Sequence, residues 1–197
     1  MEKEQREQFK EQFLQIAREN IKREGIEELL KYLETTDFFE APASSKFHSA
    51  EAGGLCMHSI NVYKRMLFLA EHEFGEENVN KETIAICGLF HDVCKANFYR
   101  EEMRNVKENG EWVQKPYYAV DEQLPYGHGE KSVYIVNGFM RLTREEALAI
   151  NWHMGGFDKR VLGGDQSFSK AYYKYPICAI MHLADVMATY LDEVAPN

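Results

Sequence analysis

Apolar residues recur at helical spacing along most of the chain, and one stretch alone alternates. In residues 3–24, Phe9, Phe13, Ile16, Ala17 and Ile21 fall three or four apart among charges, the stripe of an amphipathic helix. Gly25 breaks it, and Leu29, Leu30 and Leu33 mark a short second helix. The segment from Thr35 to Gly54, with Pro42, serines and a Gly-Gly pair, reads as mostly loop. A third helix is predicted from about Leu55 to Phe74, with Cys56, Ile60, Tyr63, Leu67 and Ala70 on one face. Ile84, Cys87, His91 and Cys94 share the buried stripe of a fourth, roughly Lys81 to Cys94.

Residues 98–121 have another texture. Polar and apolar positions alternate around Asn109-Gly110, the pair that most favours a two-residue turn, and predict a small β-hairpin between helices. Helices resume at about 129–141 and 144–153, the second opened by a capping box of Thr143 and Glu146. Gly155, Gly156, Gly163 and Gly164 predict a loop before a final helix, about Pro176 to Leu191, with proline in its first turn. No repeat or interdomain linker interrupts the pattern. The expectation is an all-α fold in a single domain over 1–197, with residues 1–45 supplying N-terminal helices that pack on the rest.

Composition narrows the function classes. Acidic residues outnumber basic ones 32 to 23, a formal charge of -9, which argues against nonspecific binding of duplex nucleic acid. A small anionic substrate stays admissible, because a bound cation inverts the charge of its own pocket. Cys56, Cys87, Cys94 and Cys178 are scattered without a CxxC pair, as expected of reduced thiols in a cytoplasmic protein. The first residues are charged throughout and no run of about 18 apolar residues exists, so neither a signal peptide nor a membrane span is predicted. Nothing in the chain sets its oligomeric state.

The chemistry lies in polar residues on apolar faces. His91 falls in the stripe of its helix with Asp92 directly after it, and Asp185 lies between Met181 and Ala188 on the last helix. A carboxylate in a core costs several kcal/mol unless it is paired, hydrogen-bonded or bound to a cation. Mixed imidazole and carboxylate donors suit Fe, Mn, Co, Ni or Zn. A histidine satisfied in the core beside an aspartate cap is the plainer alternative.

An ordered set shifts that balance: His58 in GGLCMHS, His91-Asp92 in LFHDVCK and Asp185 in HLADVMATY. These segments resemble the HD superfamily of metal-dependent phosphohydrolases, from about Lys46 to Asp192. The resemblance implies an HD-domain helical bundle with a metal at its centre, held by His58, His91, Asp92 and Asp185, with Asp92 bridging where two ions bind. It further implies that His128, in PYGHGEKS, and His153, in NWHMGGFD, complete a second site. One or two divalent ions (Fe, Mn, Ni, Co or Zn, with Mg also admissible) would then activate water for attack on a phosphomonoester or phosphodiester. Lys95, one turn after the HD pair, is assigned with Asp92 to catalysis and to phosphate contact; Lys131, Asp158 and the loop residue His48 are further candidates for the substrate. His72 and His182 read as structural. Tyr126, Phe157 and neighbouring aromatics either pack the hairpin or offer surfaces for a base. The expected substrate is a nucleotide or short oligonucleotide. Two other readings stay open: a di-iron oxygenase on the same scaffold, and a nucleotide-sensing module without catalysis.

Overall fold

A computed structural model of the chain describes residues 1–45 and 49–194. The helices are α1 (Lys3–Asn20), α2 (Ile26–Glu34), α3 (Gly54–Phe74), α4 (Lys81–Phe90), α5 (His128–Asn137), α6 (Arg144–Asn151), α7 (Lys159–Leu162), α8 (Ser167–Lys174) and α9 (Ile177–Met187). An antiparallel hairpin of β1 (Tyr99–Glu108) and β2 (Glu111–Val120) lies between α4 and α5. The architecture is a helical bundle with a two-stranded insertion. None of the described helices is long and apolar enough to cross a membrane.

Helix α3 is the central strut, packed against α1, α4 and α9, while α6 joins α5 to α9. Phe13 on α1 meets Phe38, Phe39 and Phe90 edge-on at 5.2, 5.5 and 5.8 Å. Such edge-to-face pairs add about 0.5–1.5 kcal/mol each beyond the area they bury. One continuous cluster of buried side chains runs from Phe13 through Ile60 and Phe90 to Ala188.

Two glycines let the helices that carry the histidines approach each other. A Cβ on Gly88 would lie 2.6 Å from Tyr63 Cα, so α4 lies directly on α3. A Cβ on Gly129 would collide with the Asn151 carbonyl oxygen, so the start of α5 rests on the end of α6.

The hairpin turns through Asn109 and Gly110 with φ of 50° and 90°, and its ladder runs from Glu108↔Glu111 to Tyr99↔Val120. Two consecutive left-handed residues are what a tight hairpin of this twist requires. The Thr143 and Glu146 box caps α6 from both sides, at 3.2 and 2.7 Å.

Several boundaries differ from the sequence expectation. The first helix stops at Asn20 rather than residue 24, because the chain turns to aim Arg23 at the fully buried Glu146 (2.6 Å) and at Glu82 (3.2 Å). The fourth stops at Phe90, with His91 as its cap and a tight turn over Val93–Lys95. The fifth ends at Asn137, not residue 141. The glycine-rich connection holds α7 and α8, too short to register as a periodic pattern. Beyond α9 the chain continues as a π-helical turn over Ala188–Asp192.

Candidate metal centre

Each of the six His and Asp residues singled out above is delivered by an element end or a buried face. His58 comes from α3, His91 from the cap of α4, Asp92 from the turn that follows, His128 from the first position of α5, His153 from just beyond α6, and Asp185 from α9. His58, His91, Asp92 and His153 are almost wholly inaccessible, whereas His128 keeps 30% of its side chain exposed.

Asp92 is the hub, and its two oxygens divide the others. Oδ2 faces His91 Nε2 at 3.5 Å and His58 Nε2 at 3.8 Å; Oδ1 faces His128 Nε2 at 2.7 Å and His153 Nε2 at 3.4 Å. Asp185 Oδ1 stands 3.2 Å from His58 Nε2, on the first side. The donor atoms of His58, His91 and Asp185 lie within 4.8 Å of one another, as do those of His91, Asp92 and His153.

The outer ring nitrogens fix which atoms face inward. His91 Nδ1 donates to the Gly88 carbonyl (2.9 Å) and His153 Nδ1 to the Ile150 carbonyl (2.6 Å), each three residues back along its own helix. His58 Nδ1 donates to the Glu193 carboxylate at 2.9 Å. A neutral imidazole that donates through Nδ1 presents a lone pair at Nε2. Among the described residues His153 Nε2 is buried and has no hydrogen-bond partner, yet it stands 3.4 Å from an oxygen of Asp92. Two such acceptors repel unless a cation lies between them, and buried polar atoms are rarely left unpaired. The donor set therefore fits a divalent ion, with outer hydrogen bonds that orient the imidazoles as in known metal sites.

Electrostatics favour the same assignment. Burial opposes ionisation of Asp92, but Lys95, His91 and His128 hold its carboxyl well below the usual range. Asp185 is likewise held low against burial, chiefly by its hydrogen bond with His58. Burial pushes His91 down to about 3, which keeps it neutral. For His58, burial pulls downward, but hydrogen bonds with Asp185 and Glu193 outweigh it and raise the ring to about 10, so a metal taking its Nε2 lone pair would have to displace a proton. Anionic carboxylates and imidazole lone pairs are the forms a metal binds.

A cavity of about 730 Å³ opens over this centre, lined by His58, Asp92, Lys95, His128 and Asp185. Lys95 Nζ lies 2.6 Å from Asp92 Oδ2 and keeps its charge, since that carboxylate outweighs the burial that would lower its pKa. The other candidates fall elsewhere. Lys131 Nζ is buried against Glu122 at 2.7 Å, in a neighbouring cavity, and Asp158 caps α7 with both oxygens turned to Arg160. His48 lies outside the described residues. His182, read as structural, lines the main cavity and donates from Nδ1 to the His153 carbonyl at 2.6 Å.

Two contributors were missed. Glu193, 1% exposed, accepts hydrogen bonds from His58, Ser49 Oγ (2.6 Å) and Asn61 Nδ2 (3.2 Å). Its spacing of eight from Asp185, about two helical turns, was the available signal. Cys94 Sγ lies 3.4 Å from His128 Nδ1, so the thiol flanks the most exposed of the four histidines at the site. Nothing in a lone buried cysteine announces that contact.

The fold and site define a helical bundle built around a cluster of His and Asp residues that could hold a metal ion. The HD domain family model matches residues 56–190, and the chain belongs to that family. Among curated proteins, the ribonuclease Y of Mycoplasmoides gallisepticum is 27% identical over 114 residues, 58% of this chain and 18% of the relative. The dihydroneopterin 2′,3′-cyclic phosphate phosphodiesterase of Methanocaldococcus jannaschii is 42% identical over 67 residues, 32% of this chain and 26% of the relative. The chain thus spans less than a third of either relative. No solved structure matches it.

Proposed function

We propose that the chain is a metal-dependent phosphohydrolase acting on a phosphomonoester or phosphodiester of a nucleotide or short oligonucleotide. The observation that carries this reading is the division of five partners between the two oxygens of one buried carboxylate: His58, His91 and Lys95 on Oδ2, His128 and His153 on Oδ1. His58, His91, Asp92 and Asp185 would hold one divalent ion, and His128 and His153 with Asp92 a second. When bound, such ions lower the pKa of a coordinated water to near neutrality and polarise a phosphoryl oxygen.

The chain's own residues do the rest. Lys95 offers donors to a phosphoryl oxygen at the cavity wall, where a lysine acts as a point charge. The Gly88 and Ile150 carbonyls and Glu193 keep three imidazoles from rotating. Tyr99 and Phe157 line the same cavity as Lys95 and would present ring surfaces to the substrate. The names of both relatives denote cleavage of phosphodiesters, one RNA and one a cyclic phosphate, which supports this substrate class.

The test is metal analysis of untagged protein, followed by assay of a panel of nucleotides, cyclic nucleotides and short oligonucleotides with Mn²⁺. Metal-dependent release of phosphate or nucleotide, abolished by Asp92→Ala and indifferent to oxygen, is expected. Oxygen uptake with two bound irons would move the assignment to the oxygenase reading. Unchanged nucleotide affinity and cellular function in Asp92→Ala would move it to a sensor.

A further inference from the structure

A second cavity, of about 330 Å³, opens beside the first, between the base of the hairpin and the first turn of α5. The two share His128, Met154 and Phe157 as a common wall. Both volumes fall within the range of roughly 300–1,000 Å³ usual for ligand sites.

The side cavity is built from an unusual floor. Lys131 is buried, its Nζ 2.7 Å from Glu122 Oε1 and 5.1 Å from the centre of the Phe98 ring. Glu122 Oε1 also accepts from the Leu124 N–H at 2.7 Å, whereas Oε2 accepts no hydrogen bond among the described residues. An ammonium with protons left to donate thus stands beside a carboxylate oxygen left to accept. Together they match an edge carrying both a donor and an acceptor.

The walls select shape and charge. Phe157 is 63% exposed and Tyr126 52%, with one face of Tyr126 stacked on Tyr134 at 5.3 Å, so exposed ring surface remains at the rim. Arg160 is committed: it bonds Asp158, Glu130 and Asn151 and lies 4.0 Å over the Trp152 ring. Lys131 and Arg160 are each paired to a carboxylate, and Lys159, which also lines the cavity, is solvent-exposed, so the buried floor offers a poor second phosphate site. It suits a neutral, planar group with polar edges.

We propose that this side cavity is the specificity pocket, taking the planar heteroaromatic ring of a nucleotide-class substrate whose phosphate lies at the metal centre, with Glu122 and Lys131 reading the ring edge. The proposal rests on the phosphohydrolase reading and deepens it. The ring lies on Phe157 or Tyr126, whose faces are sequence-tolerant stacking surfaces. Because His128, Met154 and Phe157 line both cavities, the ring and phosphate sites are adjacent.

Two chromogenic diesters with the same reacting phosphate and leaving group test it: thymidine 5′-(p-nitrophenyl phosphate) and methyl p-nitrophenyl phosphate. With the full Mn²⁺-loaded chain, kcat/KM for the nucleoside ester is expected to exceed that for the methyl ester about a hundredfold. Glu122→Gln and Phe157→Ala should each shrink that ratio about tenfold, mainly through KM. A ratio near one, or a ratio unmoved in both variants, overturns the pocket while leaving the hydrolase reading intact. If neither ester is cleaved, the phosphodiester half of the hydrolase reading falls, and calorimetric titration with the four free ribonucleosides still decides the pocket. At least one should bind, at least tenfold more weakly to Glu122→Gln; binding of none, or equal binding to both proteins, overturns it.

Discussion

Removing Glu193 probes the metal centre without touching a ligand. Its carboxylate receives His58 Nδ1, Asn61 Nδ2 and Ser49 Oγ in a site from which solvent is excluded. In Glu193→Ala the buried His58 and the half-buried Ser49 and Asn61 lose this acceptor, and a buried hydrogen bond that is not replaced costs about 1–3 kcal/mol. His58 also loses the partner that fixes its tautomer and raises its basicity. Loss of such an outer carboxylate typically weakens metal binding 10–100-fold, about 1.4–2.7 kcal/mol. Glu193→Gln keeps an acceptor oxygen for Nδ1–H but removes the charge, so its loss should fall near the lower end. The assay is competition for Mn²⁺ or Zn²⁺ against a fluorescent chelator, run beside thermal denaturation in EDTA. The expected order of affinity is wild type, then Gln, then Ala, with a stability loss in EDTA for Ala. Wild-type metal affinity in a folded Glu193→Ala protein would refute the reasoning, because the contact would then be structural only.

Lys95→Ala should retain metal stoichiometry while kcat/KM for a phosphodiester falls about 10²–10³-fold, the usual loss for one donor to developing charge; steady-state kinetics with metal analysis checks this. Gly88→Ala forces a Cβ to within 2.6 Å of Tyr63 Cα, so α3 and α4 must separate. Such overpacking costs about 1–3 kcal/mol and should lower both Tm and metal affinity, by calorimetry and chelator competition. Glu146→Gln removes the charge of a fully buried carboxylate whose partner Arg23 is 21% exposed and also pairs with Glu82, so the loss should fall below the ~3–5 kcal/mol of a wholly buried pair. Burial raises the Glu146 pKa, but Arg23 and the Thr143 N–H outweigh it and hold the group low. Its stabilisation is therefore whole above the unfolded value of about 4.3 and is lost as pH falls through the lower folded value. Urea unfolding of wild type and Glu146→Gln should differ clearly at pH 7 and less at pH 3, and an equal gap at both would refute the pairing.

Much of this protein is legible without coordinates. Apolar spacing marks α1, α3 and α9, Asn109-Gly110 marks the hairpin because few residues accept two left-handed positions, and Thr143 with Glu146 marks the start of α6. His91, Asp92 and Asp185 betray themselves as polar groups on faces that bury, where solvation must be replaced by a partner. The sequence does not reveal which partners they take. That Asp92 splits His58 and His91 from His128 and His153 depends on how closely four helices approach, which the glycines at 88 and 129 permit through contacts distant in sequence. Lys131 carried the right charge for phosphate and Asp158 a group for acid/base work or an outer hydrogen bond, yet Glu122 and Arg160 claim them, because a buried charge goes to the nearest opposite charge the fold supplies. Glu193 became a partner of His58 only through the π-helical turn after α9, which sets where the carboxylate points. Local pattern thus determined the elements and the ligand types. Tertiary packing decided which atoms meet, since metal-ligand and hydrogen-bond geometry is set in ångströms that periodicity does not encode.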